Sequence, residues 1–119
     1  MARISTHVLD IALGRPAAHL RVELFRITDH GREPVCSAMT NADGRTDEPL
    51  LAGDSILTGT YEIVFHAGAY FRAAGAAGAA GEIPFLDEIP IRFGVAEATG
   101  NYHVPLLLAP HGYSTYRGS

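Results

Sequence analysis

The chain has 119 residues, 47% of them apolar and 18% charged, with 9 basic residues against 13 acidic for a formal net charge of −4. That balance suits one globular domain over residues 1–119 and lacks the basic excess that nucleic-acid binding requires. Every basic residue is arginine, which excludes Schiff-base chemistry on a lysine, and the lone cysteine, Cys36, excludes an internal disulfide or a cysteine-based zinc knuckle and fits a reducing, cytoplasmic compartment.

The first seven residues run straight into a strand pattern without the apolar run of a signal peptide, and no stretch approaches the length of a membrane span. Residues 4–10 alternate, with His7 on the same face as Ser5 and Leu9. Residues 20–27 set Leu20, Val22 and Leu24 against Arg21, Glu23 and Phe25, and residues 36–41 are a further strand candidate. In residues 60–66, Tyr61, Ile63 and Phe65 form the apolar face. Residues 68–81 break the period: Ala-Ala-Gly occurs three times, which predicts a short helix from near Ala69 that decays into a mobile surface loop. Alternation returns in residues 88–96, through Ile89, Ile91, Phe93 and Val95, and in residues 102–108, where His103 faces away from Tyr102, Val104 and Leu106. Residues 111–117 are the last strand candidate. Turn chemistry separates these segments at Gly14-Arg15-Pro16, Asp29-His30-Gly31, Asp43-Gly44, Gly53-Asp54 and Pro110-His111-Gly112. Seven or so short strands with polar turns predict an all-β sandwich or small barrel.

The candidate chemistry lies on faces that this alternation leaves out of the core. His7 and His103 are imidazoles able to take or give a proton near neutral pH. Arg45 follows the Asp43-Gly44 turn and offers paired donors for an anionic or enolate-like oxygen. Tyr116-Arg117-Gly118-Ser119 follows directly on the last strand, which would bring a phenol, a guanidinium, a flexible glycine and a terminal carboxylate to one place. The remaining histidines, His19, His30, His66 and His111, read as surface or turn residues. A calcium loop around Asn41–Gly44 would begin at Met39 and end at Leu50, neither of them an acid. Residues 112–116 resemble a nucleophile elbow but end in Tyr116 where glycine is required. No His-Glu-x-x-His spacing occurs; a cross-strand zinc site on His7 and His103 is left open, and no metal or cofactor is assigned.

Taken in order, Ser5-Thr6-His7-Val8-Leu9-Asp10, Gly14-Arg15-Pro16-Ala17, Thr40-Asn41-Ala42-Asp43-Gly44-Arg45-Thr46, Gly59-Thr60-Tyr61-Glu62, Tyr102-His103-Val104-Pro105-Leu106-Leu107-Leu108 and Tyr113-Ser114-Thr115-Tyr116-Arg117-Gly118-Ser119 resemble the transthyretin-related 5-hydroxyisourate hydrolases over essentially the whole chain. The terminal motif and the two histidines separate these hydrolases from transthyretin, the hormone carrier on the same fold. The sequence departs from the family pattern between residues 72 and 90, where the Ala-Gly run and Pro84-Phe85-Leu86-Asp87-Glu88 replace a tighter link.

The resemblance implies a prealbumin-type two-sheet sandwich with one short helix. It also implies a homotetramer, a dimer of dimers, with sites in a channel between dimers. The implied reaction is hydrolysis of 5-hydroxyisourate to 2-oxo-4-hydroxy-4-carboxy-5-ureidoimidazoline in urate degradation, without a cofactor. His7, His103 and Arg45 would be catalytic; His7, Arg45, Tyr116, Arg117, Gly118 and Ser119 would bind substrate. Two alternatives stand beside this one: a non-catalytic carrier of a small ligand on the transthyretin fold, and a purely structural sandwich domain.

Overall fold

A computed structural model describes residues 2–74 and 83–119. Nine strands and one α-helix are assigned among them: β1 (Arg3–Asp10), β2 (Arg15–Pro16), β3 (Arg21–Thr28), β4 (Gly31–Met39), β5 (Leu51–Ala52), β6 (Gly59–His66), α1 (Ala67–Ala74), β7 (Glu88–Val95), β8 (Asn101–Ala109) and β9 (Gly112–Thr115). One sheet has the order β2-β1-β8-β9, with β5 also paired to β1; the other has the order β4-β3-β6-β7. This is the expected all-β sandwich.

The period-2 faces meet as the sequence required. Ile4 and Val8 from β1 and Tyr102, Val104, Leu106 and Leu108 from β8 are buried against Val22 and Leu24 of β3 and Tyr61, Ile63 and Phe65 of β6. Fully burying an aliphatic or aromatic side chain stabilises by about 1.5–3 kcal/mol, so these two facing rows hold the sheets together. On the inner face of β1, Thr6 is also buried, and its hydroxyl donates to the Val104 carbonyl at 2.7 Å.

Helix α1 begins at Ala67, two residues before the expected start, and presents Tyr70 and Phe71 to the core. It is tied to β1 by the Tyr70 hydroxyl, which donates to Asp10 Oδ2 at 2.6 Å, while Asp10 Oδ1 accepts the amides of Ala12 and Leu13. The buried carboxylate is thus satisfied by three donors. Burial, and then the Asp10 carboxylate, push the Tyr70 phenol up to about 12. The Ala-Ala-Gly run expected to form a mobile loop lies, from Gly75 on, outside the described residues.

Three expectations are corrected. Strand β4 starts at Gly31, not at Cys36. Its first half, Arg32-Glu33-Pro34, lacks an apolar face because β4 is an edge strand, where a proline without an amide is tolerated. A bulge shifts the β3–β4 register, so that Leu24 pairs with Cys36 and Phe25 with Pro34. Strand β9 ends at Thr115, so Tyr116 and Arg117 have left the ladder. His66 is the end of strand β6 and not a turn residue: its Nε2 lies 2.6 Å from Glu23 Oε1.

Candidate active site

Strands β1 and β8, drawn from the two ends of the sequence, pair in parallel at the centre of their sheet. The register sets Arg3 beside Asn101, Ser5 beside His103 and His7 beside Pro105. Because the inner face of each strand is filled by the core, these residues share the outer face and line a groove of about 600 Å³. The other walls are Arg45, the 46–49 segment and Tyr116 through Ser119. All seven residues singled out in the sequence, His7, Arg45, His103, Tyr116, Arg117, Gly118 and Ser119, therefore border one cavity.

Each arrives by a definite local device. Arg45 forms a bridge with His7, and the tight turn before it is fixed by Gly44, whose φ of 76° is in the left-handed region. A side chain at Gly44 would also run into the Val8 carbonyl and Pro16. The turn holds His7 directly: its Nε2 is 2.9 Å from the Asp43 carbonyl oxygen. A carbonyl only accepts, so Nε2–H is the donor, and in its uncharged form the ring has its lone pair on Nδ1.

His103 is held from two sides. Its Nδ1 lies 2.9 Å from the Ser5 hydroxyl, and its carbonyl accepts the Gly118 amide at 2.8 Å. Burial first, then the charges of Arg45, His7 and Arg3, lower its pKa below the usual imidazole value. It is therefore a neutral imidazole at neutral pH, able to accept a proton.

The carboxy-terminal segment folds back over the groove. Thr115 Oγ1 donates to the Pro105 carbonyl at 2.7 Å, and Gly118 bridges back to His103. Tyr116 is exposed along the rim. Arg117 borders the cavity, but its guanidinium is engaged by its own sheet. It donates to the Asn101 carbonyl at 3.1 Å and lies 4.5 Å from the centre of the Tyr102 ring. The need for glycine at position 118 is a matter of space: its φ is not positive, but a β-carbon there would stand 2.5 Å from His103 Cδ2.

Sequence reasoning gave no role to Arg3, Ser5 or Asn101, although the alternation over residues 4–10 already placed Ser5 on the face of His7. The 46–49 segment has no periodic signal and could be located only by the fold. Among the described residues no group of three or more His, Cys, Asp or Glu side chains is disposed to hold a metal ion, and no helix is long and apolar enough to cross a membrane.

Known proteins share this arrangement of chain. The 5-hydroxyisourate hydrolase 2 of Rhizobium meliloti is 55% identical over 120 residues, covering 98% of this chain and 96% of that protein. The structure of the Klebsiella pneumoniae 5-hydroxyisourate hydrolase superimposes with a TM-score of 0.81 at 35% identity, each chain covered completely. The crystal structure of (S)-allantoin synthase gives a TM-score of 0.90 at 40% identity, with 99% of this chain matched to 44% of that longer one. The family described as HIUase/Transthyretin matches residues 4–118, from the first inward residue of β1 to the glycine packed on His103. With full-length relatives and the fold in agreement, this chain belongs to the HIUase/transthyretin family.

Proposed function

We propose that this protein hydrolyses 5-hydroxyisourate to 2-oxo-4-hydroxy-4-carboxy-5-ureidoimidazoline in urate degradation. The carrying observation is convergence. His7, Arg45, His103 and the 116–119 segment, distant in sequence, border one groove that also holds one further arginine, Arg3. In this reading water adds to the C6 carbonyl of the substrate as an imidazole accepts one of its protons. The tetrahedral oxyanion is stabilised by the Arg45 guanidinium, and collapse breaks the N1–C6 bond as the proton is returned to N1. The carbon becomes a carboxylate. His7 and His103 divide proton transfer and water positioning between them. Tyr116 and Gly118-Ser119 close the pocket around the bicyclic substrate, and Arg117 stiffens that closure.

The site lies on an outer sheet face, and we infer that a second copy roofs it in a homotetramer, a dimer of dimers. Exposed Leu13, Tyr113 and Tyr116 would then be covered by neighbouring copies. A cytoplasmic location belongs to the same reading and agrees with a single unpaired Cys36. The carrier alternative requires largely apolar walls for an uncharged ring; three arginines and two histidines on this groove favour chemistry instead.

The test is ultraviolet absorbance. 5-Hydroxyisourate freshly made with urate oxidase decays faster when this protein is added; decay at the uncatalysed rate overturns the reading. Size exclusion with light scattering on the active fraction tests the assembly, and a fully active monomer overturns the tetramer.

A further inference from the structure

We propose that Asn41 is a positioning residue that sets His7 and Arg45 in register with each other, an inference that rests on the hydrolase reading. Its carboxamide oxygen accepts two backbone amides, those of Asp43 at 2.9 Å and Arg45 at 3.2 Å. Its own amide donates to the Arg45 carbonyl at 2.7 Å, and its carbonyl accepts the Gly44 amide at 2.9 Å. Its Nδ2 donates to Asp47 Oδ1 at 3.0 Å, which anchors the side chain and ties the turn to the 46–49 wall.

The products of this turn are two groove residues. The Asp43 carbonyl is aimed so that it accepts His7 Nε2–H, and the Gly44 carbonyl accepts the Val8 amide at 2.8 Å, which fastens the turn to β1 beside His7. Arg45 leaves the turn immediately after its last bond to Asn41. Asn41 itself does not border the groove. It therefore acts through others, fixing the tautomer of one histidine and the origin of one guanidinium. Few side chains serve here. The position needs an oxygen that accepts two amides and a donor toward a carboxylate, and asparagine supplies both at the right length.

The full-length protein with Asn41→Ala and with Asn41→Asp tests this by rate, thermal melt and ring ¹⁵N shifts of His7. In the wild type His7 shows the Nε2–H tautomer at neutral pH. Asn41→Ala mixes the two tautomers and lowers kcat/KM by about 10²-fold, the scale of a small misplacement of catalytic groups. Asn41→Asp keeps both acceptor bonds but replaces the donor to Asp47 with a second carboxylate, so it retains the Nε2–H tautomer that the acceptor bonds set and recovers only part of the rate lost in Asn41→Ala. A folded Asn41→Ala protein with wild-type tautomer and rate overturns the proposal, as does a folded Asn41→Asp protein whose His7 is as disordered as in Asn41→Ala. If Asn41→Ala does not fold, the Asn41→Asp signature alone decides. Absence of hydrolysis by the wild type would refute the hydrolase reading instead, and the ¹⁵N comparison would still judge the positioning.

Discussion

The backbone of Gly118 rests on the imidazole of His103, so closely that a β-carbon at position 118 would stand 2.5 Å from Cδ2 and 3.3 Å from Cγ. The ring cannot yield freely, because Ser5 holds its Nδ1 and the Gly118 amide holds its backbone. Gly118→Ala therefore displaces either the ring or the terminal segment. The expected result is a loss of roughly 10²-fold in kcat/KM with little change in melting temperature, since the core is built upstream. A Gly118→Ala protein with wild-type kinetics would show that the contact has no catalytic consequence.

His103 supplies a pH prediction. Its pKa is lowered in the fold, by burial first and then by Arg45, His7 and Arg3. In the window between that lowered value and the ordinary imidazole value of about 6.5, the unfolded chain holds the proton and the folded one does not. Stability consequently rises with pH through that window and is lost as pH falls below it. An NMR titration of the ring should give a midpoint below the ordinary value, and Arg45→Gln should move it upward. A midpoint that ignores loss of the Arg45 charge would remove the electrostatic part of this account.

For the reaction itself, His7→Ala and His103→Ala should each reduce the rate about 10²-fold or more, the scale of general acid–base groups. Both proteins should keep the fold, because neither ring is part of the apolar core. Wild-type rates in both folded variants would sink the assignment.

Deleting residues 116–119 should abolish turnover and leave the sandwich intact, because β9 ends at Thr115. Tyr116→Phe separates ring from hydroxyl. A change confined to KM indicates binding, and equal losses in kcat and kcat/KM indicate a role in the transition state. Full turnover by the truncated protein would exclude the segment from the site.

A stability prediction concerns the strut between helix and sheet. Tyr70→Phe removes one of three donors to the buried Asp10 carboxylate. A cost of about 1–3 kcal/mol follows from the partly orphaned charge, measured by denaturant unfolding. Hydrolysis by the folded fraction should persist, since Tyr70 does not border the groove. An unchanged midpoint would mean that the two amides satisfy Asp10 alone.

Alternation in the sequence decides which residues of a strand face each way, because a strand's side chains must point to opposite sides. That local rule placed Ile4, Val8, Val104 and Leu106 in the core and left His7 and His103 outside it, and the short motifs carried the family. Residues without a period were not legible in this way: β4 over Arg32-Glu33-Pro34, the two-residue strands β2 and β5, and the 46–49 wall owe their places to neighbours distant in sequence.

Only the tertiary structure could bring His7 beside Arg45 and His103 beside Gly118, because those contacts depend on the parallel register of β1 with β8 and on a turn stitched to β1. It also changed the reason for two residues. Gly118 is small to make room for a ring, and the guanidinium of Arg117 is directed onto Tyr102 and Asn101. Pattern along a chain reports the face a side chain takes, whereas the partner it meets there is fixed by strand pairing between remote segments, and in this protein the site is made of such pairings.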